Sequence, residues 1–123
     1  MKEKEFELTI PSEFLATLAS ESSRNRNMTS IESAALYRLI DVAKGNSGQS
    51  QRVANFLLSW WNADDFGGFD PRNLWALDAH LADDIVTVFG MIARVCEYPP
   101  TIDPALEADF MILVRKYRPD LTR

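Results

Sequence analysis

Val53, Phe56, Leu57, Trp60 and Trp61 recur at i, i+3, i+4, i+7 and i+8 through QSQRVANFLLSWWNA, and no other pattern restricts the fold so strongly. That spacing lines one face of an α-helix with large apolar side chains, and a face that wide must be covered by other elements. The neighbouring stretches carry the same period. In MTSIESAALYRLIDVAKG, Ala35, Leu36, Leu39, Ile40 and Ala43 form a stripe behind a Thr29/Glu32 capping box, with Gly45 expected to close the helix in a left-handed conformation. Gly67 and Gly68 end the tryptophan helix; Asp70 before Pro71 reads as a cap and first-turn proline for a short helix through Leu74, Trp75 and Leu77.

Asp78 is a candidate cap for a longer helix. Its stripe is read as Leu81, Ile85, Val88, Phe89, Ile92 and Cys96, with Val86 and Met91 off it, and a helix apolar around so much of its circumference is expected at the centre of the molecule. Pro99 and Pro100 stop it. Asp103 and Pro104 repeat the cap-plus-proline signal ahead of Leu106, Phe110, Leu113, Val114 and Tyr117. Near the start, Phe6, Leu8 and Ile10 alternate as in a strand, so residues 1–10 are read as an extended arm or an edge strand; Phe14, Leu15 and Leu18 follow Pro11 at helical spacing. The expectation is an all-α, compact bundle of five to six helices, one domain over 1–123 with its core in 28–118.

At 123 residues and 46% hydrophobic, the chain has the material for one core. It contains no apolar run of membrane-spanning length, and MKEKEFELTIP lacks the apolar stretch of a secretory signal, so a cytoplasmic protein is expected. Cys96 is the single cysteine and is read as a small buried hydrophobe. The net charge of −5 is unevenly spread: residues 61–110 hold ten acids against Arg72 and Arg94. Such a segment disfavours nucleic acid, which needs clustered Lys and Arg, and suits a basic partner. A DNA-binding reading rests only on KGNSGQSQR with Lys44 and Arg52, a weak footprint.

Catalytic signatures are wanting. DFG at Asp65 to Gly67 has none of the other protein-kinase segments around it, GNSGQS lacks the Walker lysine, and no G-x-S-x-G occurs. The one histidine, His80, stands at i and i+4 with Asp84, and Asp83 lies beside that line; these three are the candidate centre for a small metal- or ligand-binding enzyme, although a further ligand is not supplied nearby. No cofactor is expected. The remaining candidate is the corner SWWNADDFGGFD with the tryptophan that follows it: Trp60, Trp61, Asp64, Asp65, Phe66, Phe69 and Trp75. Rings beside carboxylates suit recognition of a protein partner, a second copy of the chain included, while the competing reading is that all three indoles pack in the core.

GQSQRVANFLLSWWNADDFGGFD, with LWALD, DDIVTVFGMIAR and a closing YRP, resembles a family of small uncharacterised proteins carried on bacterial integrative and conjugative elements. The resemblance runs from Leu39 to Pro119. It implies a bacterial cytoplasmic accessory protein of a mobile element, and it transfers no catalytic residue. The leading expectation is a non-enzymatic interaction protein that meets a partner through the acidic aromatic corner. A narrower one is an inhibitor that covers the basic groove of a host defence nuclease.

Overall fold

The computed structural model describes residues 27–122, and every described element is helical. The arm at 1–10 and the helix expected after Pro11 lie outside the described residues. The elements are α1 (Ser30–Ala43), α2 (Gly48–Phe66), a 3₁₀ helix (Pro71–Ala76), α3 (Ala79–Val95), the single turn α4 (Pro99–Ile102), α5 (Ala105–Tyr117) and a last 3₁₀ turn (Pro119–Thr122). Helix α1 packs against both α2 and α3, α5 lies on α2, and α4 rests against α5. The chain therefore forms an all-α bundle over these residues.

Local chemistry sets the helix starts. Thr29 Oγ1 accepts from Glu32 N at 3.1 Å while the Glu32 carboxylate accepts from Thr29 N at 3.0 Å, which satisfies two otherwise orphan donors. Ser47 and Ser50 repeat the device at the head of α2, so that helix begins at Gly48. Asp70 caps the first 3₁₀ helix by accepting from Arg72 N at 2.9 Å. Asp78 stands at the cap position of α3 but makes no side-chain cap bond; Gln49 of α2 grips it instead, accepting from Asp78 N at 2.7 Å. Asp103 accepts from Ala105 N at 3.0 Å at the head of α5.

The end of α1 departs from expectation. Gly45 is not left-handed, since Gly67 alone among the described glycines has positive φ, and Lys44 ends α1 in a right-handed conformation. Gly45 serves close approach instead: a Cβ there would meet Ser50 Oγ at 2.9 Å and Val42 O at 3.2 Å.

Helix α3 is a second correction. It packs mainly against α1 rather than sitting at the centre, and the residues that face inward are Leu81, Asp84, Ile85, Val88, Met91 and Val95. Phe89 is 64% exposed, whereas Met91, which the sequence pattern sets aside, is fully buried. The period alone could not choose a face because apolar residues surround this helix. Two ion pairs with α1 accompany the observed face: Arg38 clasps Asp84 with Nε and Nη2 at 2.9 Å each, and Arg94 of α3 reaches Glu32 at 2.6 Å. Asp84 and Met91 are seven residues apart, two turns along one line, so the face that meets α1 carries both. Cys96 is likewise exposed, not buried, as the left-handed residue (φ 60°) that ends α3.

Candidate functional site

Helix α2 is interrupted one residue after its tryptophan pair. Asn62 leaves the helical conformation for extended backbone (φ −164°, ψ 89°), and one further turn runs to Phe66 before Gly67 (φ 98°) ends it. Asn62 then acts as the cap of that turn: its Oδ1 accepts from Asp65 N at 3.1 Å, and its Nδ2 donates to Asp65 Oδ2 at 2.9 Å. The break changes which side chains meet. Residues five apart do not face each other on a straight helix, yet the Trp61 and Phe66 rings lie 5.6 Å apart.

Phe110 of α5, fully buried, fills the notch between the two indoles. Trp60 stands over it at 6.0 Å and 80°, and Trp61 at 5.8 Å and 90°, both in edge-to-face geometry. The Trp60 Nε1–H donates to the Glu97 carbonyl at 3.1 Å, which ties α2 to the link between α3 and α4. Both indoles are half-buried: each has one side in the core and another on the surface.

That surface is a cleft of about 820 Å³ open to solvent. Trp60, Trp61, Asp64 and Phe66 form one wall, and Tyr98, Pro100 and Thr101 face them from the head of α4. Tyr98 is 63% exposed. Asp64 has no hydrogen bond or ion pair among the described residues, although it stands at the cleft edge. Three arginines have partners of their own: Arg72 with Asp70 at 2.6 Å, Arg94 with Glu32 at 2.6 Å, and Arg118 with the Phe66 carbonyl at 2.9 Å and Asn55 Oδ1 at 2.9 Å. Arg72's hydrogen bonds hold Asp70 at about 2, well below the usual carboxylate range, so that pair stays ionised under all ordinary conditions.

Of the seven residues singled out from the sequence, four meet in this cleft: Trp60, Trp61, Asp64 and Phe66. Asp65 is occupied by Asn62. Phe69 packs edge-on against Phe56 at 5.4 Å, a core contact. Trp75 projects from the first 3₁₀ helix, 83% exposed, and lines neither this cleft nor its neighbour. The expectation that all indoles fill the core therefore fails for Trp75 and is half right for the other two. Tyr98, Pro100 and Thr101 were missed because the proline pair reads as a helix stop, and nothing local says that the same prolines start a turn opposite Trp60.

The His80 constellation does not assemble. Asp84 turns inward to Arg38 while His80 and Asp83 are exposed, and among the described residues no group of three His, Cys, Asp or Glu side chains could hold a metal. A second cleft, of about 610 Å³, adjoins the first through Thr101 and is lined by Asn27, Met28, Val95, Cys96, Glu97, Ile102 and Asp103. No helix among the described residues is long and apolar enough to cross a membrane.

No curated protein and no solved structure matches the chain. A family profile does, over residues 33–118, a span that runs from the first turn of α1 through α5 and takes in every residue of the aromatic cleft. The chain belongs to that family, DUF7673, described as a family of unknown function.

Proposed function

We propose that this protein is a non-enzymatic interaction protein, a cytoplasmic accessory of a bacterial mobile element, which binds a protein partner through the cleft between α2 and α4. One observation carries the reading. Trp60 and Trp61 are held from behind by Phe110 and still present a face to solvent beside the exposed Tyr98. Large aromatic rings fixed in place lose little conformational entropy on binding, which is why such residues dominate protein interfaces. Core packing alone gives no reason for an exposed Tyr98 opposite them. The mobile-element setting rests on the sequence resemblance.

The test is capture of partners from a bacterial host with a photo-crosslinking residue at position 98, compared with the same residue at position 112 on the far part of α5. Ile112 is 40% exposed and outside the cleft, so it reports background. The reading expects a product at position 98 that is absent at 112 and lost on Trp61→Ala in protein that remains helical. Equal products at both positions would sink it.

The excess of acid in 61–110 favours a narrower version, in which the partner is a defence nuclease whose basic groove is covered. A plasmid-transformation assay in restricting hosts checks it; unchanged restriction across the hosts tried would remove it.

A further inference from the structure

Resting on the reading of the cleft as a partner site, we infer that the group it recognises is the guanidinium of a partner's arginine side chain. Three features of the cleft point to a cation that is flat. Its walls include the rings of Trp60, Trp61 and Tyr98, whose π-faces attract a cation and stack best against a planar one. Its lining includes Asp64, a carboxylate with no side-chain partner among the described residues, and a carboxylate can accept the paired N–H groups that an arginine offers and a lysine does not. And two arginines already have carboxylates of their own, Arg72 in Asp70 and Arg94 in Glu32, so neither competes for Asp64. An anion would meet a carboxylate and the negative faces of the rings.

The three tryptophans supply their own control, because Trp75 lies outside the cleft. Blocked pentapeptides identical except for a central arginine, lysine or citrulline are titrated into the full chain while the three indole N–H resonances are followed by NMR. Citrulline keeps the shape and planarity of arginine without its charge. The arginine peptide is expected to shift the Trp60 and Trp61 signals and leave Trp75 in place, with citrulline binding about tenfold more weakly and lysine between them. Asp64→Asn, at an exposed position with no side-chain bond among the described residues, is expected to weaken the arginine peptide several-fold with no change in melting temperature.

Citrulline binding as tightly as arginine, or Asp64→Asn leaving the affinity unchanged, would overturn the inference. So would a Trp75 shift equal to the others. These outcomes are separable from failure of the partner reading: a crosslink specific to position 98 with no arginine preference keeps the partner site and discards its cationic ligand, whereas arginine selectivity without such a crosslink does the reverse.

Discussion

Glu32 serves α1 twice, closing its capping box and pairing with Arg94 of α3. Arg94's hydrogen bonds to the carboxylate, with those of Thr29, outweigh the effect of burial and lower the Glu32 pKa below its ordinary 4.5. A carboxylate depressed in the folded state contributes stability that is complete above its unfolded value and is lost as pH falls through the folded one. Glu32→Gln should therefore cost about 1–3 kcal/mol at neutral pH, as for other hydrogen bonds to a charged group, and flatten the decline of melting temperature below about pH 4.5. Parallel acid-side curves for the two proteins would contradict this. Gly45 makes a different residue-scale prediction. Since a methyl group there would press on Ser50 and the Val42 carbonyl, Gly45→Ala should lose about 1–3 kcal/mol in denaturant unfolding, the opposite of what relief of glycine's backbone freedom alone would give.

Among the elements, α2 and α3 each contain a feature that periodicity does not describe. In α2 it is the break at Asn62, which brings Phe66 against Trp61 and sets Asp64 at the cleft. Asn62→Ala removes the cap of the final turn and should cost about 1 kcal/mol, with its largest chemical-shift changes at Trp61 and Phe66 rather than at Trp75. In α3 the question is which face is inside. Met91→Ala should destabilise by about 2–5 kcal/mol, because the side chain is fully buried, while Phe89→Gln at an exposed position should stay within about 0.5 kcal/mol. Calorimetric melting of the two variants distinguishes the ion-paired orientation seen here from the stripe that sequence spacing favours. The tryptophan stripe of α2 was legible because its opposite face is polar; α3 offered no such contrast, so its orientation was settled only by its packing against α1.

At the scale of the molecule, one cluster of buried side chains runs from Ala35 in α1 to Val114 in α5, drawing on all four long helices. Unfolding followed by tryptophan fluorescence, which samples the α2–α5 contact, should therefore coincide with unfolding followed by far-UV circular dichroism, which samples every helix. Separated midpoints would mean that α3 and α1 come apart from the rest. The sequence by itself determined the helical class, most helix limits and the Thr29 and Asp70 caps, since these depend on neighbours within four residues and on the contrast between apolar and polar faces. It also put Trp60, Trp61, Asp64 and Phe66 in one suspected corner. Only the tertiary structure decided that Phe110 stands behind the indoles, that Tyr98 and Pro100 close the cleft from the far end of α3, and that Trp75 stays outside. Those outcomes depend on contacts between distant segments and on which of several apolar faces packs against a neighbouring helix, and neither quantity has a period that can be read along the chain.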